Sequence, residues 1–196
     1  MTSDTGRATP DAITAALCGS ADISLRGDVD KSMLDSFLAD LEKAREKDGD
    51  VVLEITTSGG DAELARRIVL EIERARDSLE GNFFFLGKAV IYSAGVSIMS
   101  AFPRDQRYLT REAMLLIHGR QLEKTVELTG PIRTSIPYVE ALLAQLNIGV
   151  GLEEKGFRRL IEGSRLSLEE VIGKATNNWY LTAEEAHNLG LVAALV

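Results

Sequence analysis

The apolar positions change period repeatedly along the chain. Ile23-Ser24-Leu25-Arg26-Gly27 alternates apolar with polar and stops at a glycine, which predicts a short strand. Leu34, Phe37, Leu38, Leu41 and Ala44 then recur at helical spacing, behind Asp28 or Asp30 as N-cap. Val51-Val52-Leu53-Glu54-Ile55 is mostly apolar and β-branched, as in a parallel strand covered on both faces. Ala65, Ile68, Val69, Ile72, Ala75 and Leu79 mark one face of a second helix. A third strand is expected over Asn82 to Leu86, a short apolar helix over Ser93 to Ala101, and two brief strands at Arg107 to Leu109 and Met114 to Ile117. Such alternation predicts an α/β fold built from βαβ units with right-handed crossovers.

Beyond residue 130 the pattern is helical. Ile136, Val139, Leu142, Leu143 and Leu146 predict one helix, and Phe157 to Ile161 a part of another. These helices are expected to project from the sheet, as a handle inserted at about 121–175. Trp179-Tyr180-Leu181 reads as a strand, and Thr182 with Glu185 forms a capping box that opens a helix ended by Gly190. Leu191 to Val196 is expected as a last strand. Residues 1 to about 20 have no strong period and read as a loose arm, which leaves 21–196 as a single domain. There is no internal repeat and no low-complexity tract.

Composition narrows the function classes. The chain has 196 residues, 45% of them hydrophobic, enough to bury a core without a metal or disulfide staple. Thirty acidic side chains against 22 basic ones give a net charge of −8, which argues against nucleic acid or an anionic membrane as partner. The one cysteine, Cys18, has no internal partner, as fits a reducing, cytoplasmic setting. The N-terminus has no basic cluster followed by an apolar run and so does not read as a secretory signal. The window Phe83 to Phe102 is long enough to span a bilayer, but its glycines and serines fit a buried strand and helix better.

Three strand ends carry candidate chemistry, since ligands of open α/β sheets bind beyond the carboxyl ends of strands. Ser58-Gly59-Gly60 can turn sharply and expose amides to a developing negative charge, or it is a plain tight turn. Ser93, before an apolar helix, can present its hydroxyl beside the amide of Ala94, or it only caps the helix. His118 closes a buried strand; it can act as general base for a serine, or it is a half-buried histidine with a backbone partner. The other histidine, His187, lies in a polar helix and reads as a surface residue.

Together these segments resemble the Clp protease proteolytic subunit family, ClpP, within the ClpP/crotonase fold. The resemblance runs from about Ile23 to the C-terminus. The family's Ser-Pro-Gly-Gly loop appears as Thr57-Ser58-Gly59-Gly60, its nucleophile segment at Ser93, and its Met-Ile-His strand end at Leu116-Ile117-His118. Ser93 and His118 lie 25 positions apart, as in the family, and the segment Leu181 to Val192 is similar to its closing helix and strand. The resemblance implies a ClpP/crotonase-like spiral of βαβ units with a helical handle. It implies a serine endopeptidase that needs no metal or cofactor. Ser93 would be the nucleophile, His118 the base, and the amides of Gly60 and Ala94 the oxyanion hole. Asn178 stands where the family has its third triad member, an aspartate. The resemblance also implies peptide or unfolded-protein substrates, heptameric homo-oligomeric rings that can stack through the handle, and an ATP-dependent unfoldase as partner.

The sequence departs from that pattern in several places. Asparagine can orient an imidazole through its carbonyl but brings no negative charge, and an Asp-to-Asn change in a serine triad costs about 10⁴ in rate. Ser58 replaces the loop proline, and bulky Tyr92 precedes the serine. The glycine-rich substrate strand is replaced by Leu122 to Leu128, which alternates and can pair with an extended peptide. Two alternatives follow. One is a catalytically weak or inactive ClpP-like subunit with a structural or regulatory role in a mixed ring. The other is a crotonase-type enzyme acting on acyl-CoA thioesters, against which the serine–histidine spacing speaks.

Overall fold

The computed structural model describes Leu17 and residues 19–196; Cys18 and nearly all of the expected arm lie outside the described residues. The strands are β1 (Ile23–Arg26), β2 (Val51–Thr57), β3 (Phe83–Tyr92), β4 (Arg107–Leu109), β5 (Met114–Ile117), β6 (Trp179–Thr182) and β7 (Ala194–Leu195). The helices are α1 (Lys31–Arg45), α2 (Ala62–Arg76), α3 (Ala94–Met99), α4 (Ile132–Ile161), α5 (Leu168–Ala175) and α6 (Ala183–Asn188). One sheet runs in the order β1-β2-β3-β4-β7, all parallel, and β5 branches from β3 to pair antiparallel with β6.

Alternation along β2 sorts its side chains between two layers. Val51, Leu53 and Ile55 pack with Phe37 and Leu41 of α1 and with Ile68 and Ile72 of α2 in the larger core. Val52, on the opposite face, packs with Phe84, Leu86, Tyr108 and Leu17. Both faces are therefore covered, and six of the seven β2 residues are buried. Glu54 shares the second face and is only 6% exposed. It accepts hydrogen bonds from Ser24 Oγ and Arg26 Nη2, each at 2.8 Å, and from Lys88 Nζ. Burial alone would raise its pKa, but these three donors outweigh it and hold the carboxyl down to about 2.

The feature that shapes the rest is a break in β3. Its register against β2 moves from Ile55↔Gly87 to Thr57↔Ile91, so β3 carries two extra residues there. Ala89 takes a left-handed φ of 57° within this stretch. The insertion bends the strand, as β-bulges do. Before it, Phe85 to Gly87 pair with β4; after it, Val90 to Tyr92 pair with β5. The sequence predicts a strand ending at Leu86, yet β3 runs on to Tyr92, directly into α3. The membrane-length window is thus a bent strand followed by a six-residue helix. Among the described residues no helix is long and apolar enough to cross a membrane.

The two helices expected after residue 130 are one, α4, of 30 residues or about 45 Å. Pro137 lies inside it, at the sixth residue, and removes the amide that would donate to Arg133 O, yet neither it nor Gly149 and Gly151 ends the helix. Only Phe157 and Leu160, close to its C-terminal end, are buried. α5 returns to the core through Val171 and Ala175. The last strand is confined to Ala194–Leu195, while Leu191 and Val192 pack in the core ahead of it.

Candidate functional site

Ser93 follows the last residue of β3 and holds the N-cap position of α3, with φ 52° and ψ −110°. A non-glycine residue in such a conformation is strained by about 1–3 kcal/mol, a feature that clusters at functional sites. Its hydroxyl makes no capping hydrogen bond, so the plain capping role is not the one it plays. The amide of Ser93 donates to Leu116 O at 2.8 Å, which fixes the junction to β5. Gly95 then lets α3 sit directly on β2: a Cβ there would lie 2.5 Å from Thr57 Cγ2. A strained serine on a sharp strand-to-helix turn is the geometry that lifts a hydroxyl clear of its backbone.

The Gly59-Gly60 turn is seated against this serine. A Cβ on Gly59 would lie 2.8 Å from Ser93 Cβ and 3.4 Å from its Oγ. The turn is held from both sides. Gly59 N donates to Thr57 Oγ1 at 3.1 Å, Ser58 Oγ donates to Asp28 at 2.7 Å, and Val29 bridges the loop through Val29 N to Gly59 O and Asp61 N to Val29 O. Gly60, with φ 143°, packs so tightly on Val29 that a Cβ would meet its backbone at 2.5 Å. Asp61 caps α2 by accepting from Glu63 N and Leu64 N. None of these bonds uses the amide of Gly60. Ala94 is the first residue of α3, where an amide has no partner within the helix. Two amide donors therefore belong to the elements that meet at Ser93.

Sheet register brings the other two candidate residues to the same strand ends. Tyr92 pairs with Leu116, and Leu116 with Tyr180. The rings of Tyr92 and Tyr180 meet edge to face across β5, 5.8 Å apart. The next residues along pair Ile117 with Trp179. One further step sets His118 against Asn178 beyond the paired strands. Asn178 has φ 55°, a left-handed conformation that asparagine tolerates well, and is exposed.

The side chains are not joined as a triad in this structure. His118 is half-buried, and its Nδ1 lies 2.7 Å from Gly119 O. A carbonyl only accepts, so Nδ1 is the donor, and it is Nε2 that carries the lone pair in the neutral ring. Among the described residues no hydrogen bond links Ser93 Oγ, His118 and Asn178. The backbone thus supplies the orienting acceptor that the sequence assigns to Asn178.

The loop after His118 is tied down by residues that sequence reasoning does not reach. Arg120 pairs through its guanidinium with Glu63 at the start of α2, and through its amide with Glu153 of α4. Gly119 N donates to Ala175 O at 3.2 Å. The Arg66 guanidinium first, and Arg120 after it, hold the Glu63 carboxyl below the usual range against a smaller opposing push from burial. Arg120 therefore links the histidine loop to the helix that follows the glycine turn. The sequence shows Arg120 beside His118 but gives no sign of a partner so far away along the chain.

The fold and this junction define an α/β protein of the ClpP kind: a bent central strand delivers a strained serine to a glycine turn, with a histidine on the neighbouring strand end. The family model for Clp protease matches residues 5–196, and the chain belongs to that family. Among solved structures it is similar to a mutant of ClpP1 from Listeria monocytogenes, with a TM-score of 0.69 and 15% identity over 89% of this chain and 90% of that one. No curated protein sequence matches it at a significant level.

Proposed function

We propose that this chain is a serine peptidase that works within an oligomeric ring. The observation that carries the reading is Ser93 itself, strained, uncapped and pressed against the Gly59-Gly60 turn. In the reaction, Ser93 Oγ attacks a peptide carbonyl while His118 Nε2 takes its proton. The amides of Gly60 and Ala94 receive the oxyanion. His118 then gives the proton to the departing amine, leaving an acyl-serine. Water, deprotonated by the same imidazole, releases the acid and restores the serine. Each oxyanion donor contributes about 2.7–4 kcal/mol to such a transition state. Asn178, set opposite His118 by the strand register, takes over from the Gly119 carbonyl as acceptor for Nδ1 in the working enzyme.

Ring assembly is supported by α4. Ile132, Ile136, Val139, Leu143, Leu146 and Val150 follow one another in alternating steps of four and three, and each is 44% to 82% exposed. That is the seam of a helix that packs on another helix. Members of the family form rings and work with ATPase partners; an ATP-dependent unfoldase is the partner proposed here, and unfolded polypeptide the substrate. The test is hydrolysis of fluorogenic peptides by the assembled protein. Turnover that disappears in both Ser93→Ala and His118→Ala supports the reading, and turnover that survives in either overturns it.

One observation favours a second reading. The missing links among Ser93, His118 and Asn178 suit a subunit of low intrinsic activity that supports an active partner in a mixed ring. Robust Ser93-dependent turnover by the purified protein alone rules this out.

A further inference from the structure

The end of α3 remote from Ser93 opens onto a second concavity. It is a cleft of about 440 Å³ between the C-terminal end of α2, the turn after α3 and the C-terminal end of α4. Its walls carry four guanidinium groups, those of Arg76, Arg104, Arg107 and Arg159, against two carboxylates, Glu73 and Glu162. Asp105 adds a further negative charge beside Arg107. The cleft is still positive, on a chain whose net charge is −8.

The four arginines do different work. Arg107 is 1% exposed and donates to five backbone carbonyls: Phe102, Leu160, Leu191, Ser100 and Arg159. All five of its N–H groups are used, so it neutralises the carbonyl ends of α3 and α4 and adds positive field without offering a donor. Burial lowers its pKa to about 10, which leaves it charged at neutral pH. Arg159 donates through Nη1 to Glu73 at 2.6 Å, but its Nε is buried without any partner. Arg76 donates through Nη1 to Ala101 O at 3.0 Å. Arg104 reaches Gly163 O only at 3.5 Å and is otherwise exposed. Guanidinium donors from three separate elements thus remain beyond those the protein satisfies.

We propose that this cleft binds a small molecule through a phosphate group. Guanidinium groups pair with oxyanions in bidentate fashion, and a doubly charged phosphate, with one more terminal oxygen and one more charge than a carboxylate, takes more such donors at once. The volume falls in the range of small-molecule sites, about 300–1,000 Å³. A ligand here ties α2, the end of α3 and the base of α4 together. It therefore fixes the angle at which the long exposed helix leaves the body of the protein, one short helix away from Ser93. This inference does not depend on the peptidase reading.

The experiment titrates the full-length protein with pyrophosphate, and separately with inorganic phosphate, by calorimetry and thermal unfolding, with ionic strength held constant by sodium chloride. A saturable heat and a saturable rise in unfolding temperature are expected from both anions. Arg104→Gln, at an exposed position, weakens binding about tenfold, the loss of a charge-assisted contact. Glu162→Gln, also exposed, strengthens it by removing an opposing charge. Arg159→Gln weakens it as well, and the two exposed variants keep the test decisive where that protein folds poorly. Equal effects from chloride, or unchanged affinity in Arg104→Gln and Glu162→Gln, overturn the site. Acetate binding as tightly as phosphate overturns the choice of phosphate.

Discussion

Replacing Asn178 by aspartate isolates what the third position contributes. Its left-handed φ of 55° suits aspartate as well as asparagine, and its side chain is exposed, so the change brings neither backbone strain nor a buried charge. In a triad that depends on its third member to set the histidine tautomer, the asparagine form is slower by about 10⁴. Here the tautomer is already set, because His118 Nδ1 donates to Gly119 O at 2.7 Å. The gain left for a carboxylate is electrostatic. It must displace a neutral hydrogen bond of about 0.5–1.5 kcal/mol with a charge-assisted one of about 1.5–3 kcal/mol. The net, about 1–2 kcal/mol, corresponds to a 5- to 30-fold rise in kcat/KM, since about 1.4 kcal/mol is a factor of ten. The assay is peptide hydrolysis by wild type and Asn178→Asp at matched assembly state, with Ser93→Ala as the background of each. No gain, in protein of unchanged stability and mass, refutes the placement of residue 178 beside His118. A gain approaching 10⁴ refutes the role given to the Gly119 carbonyl.

Three other outcomes test separate parts of the account. Gly59→Ala forces a Cβ onto a residue with φ 106°, 2.8 Å from Ser93 Cβ; it should cost about 1–3 kcal/mol by denaturant midpoint and abolish turnover in the folded protein, and retained turnover refutes the seating of the loop. Glu54 has its pKa lowered from 4.5 to about 2, so its stabilisation is complete above pH 4.5 and is lost as pH falls toward 2. It contributes up to about 3 kcal/mol, less in salt because Arg26 and Lys88 remain solvated, and Glu54→Gln should flatten the acid limb of the stability profile. Ile136→Ser with Leu143→Ser on the exposed seam of α4 should lower the mass measured by sedimentation while leaving the circular dichroism unchanged; an unchanged mass places the interface elsewhere.

The sequence makes some of these features readable and conceals others, for physical reasons. The apolar run of β2 and the helical faces of α1 and α2 are legible because each signal is local, a mostly apolar β-branched run in Val51–Thr57 and a period of 3.6 in Ala62–Arg76. The capping box at Thr182 and Glu185 is legible for the same reason, being complete within four residues. The extension of β3 past Leu86 is not, because Gly87-Lys88-Ala89 looks like a strand end until the neighbours β4 and β5 absorb the bend. The sequence predicts two helices where α4 is one, and Gly149 and Gly151 lie between the two apolar sets without ending it, their weak propensity outweighed by the turns on either side. Ser93, His118 and the glycine turn could be singled out one by one, but the seating of Ser93 on the turn and beside the end of β5 depends on that bend in β3. The hydrogen bond from His118 to its own following carbonyl, the Arg120 links and the arginine cleft arise from loop conformation and long-range packing, and no spacing along the chain announces them.

The central claim is that Ser93 is a nucleophile. Treating the assembled protein with a fluorophosphonate and mapping the adduct by peptide mass spectrometry tests it most directly. The account predicts one modified residue, Ser93, with labelling lost in Ser93→Ala and slowed in His118→Ala. An adduct on another serine, or none on residue 93 in protein that hydrolyses peptides, contradicts it.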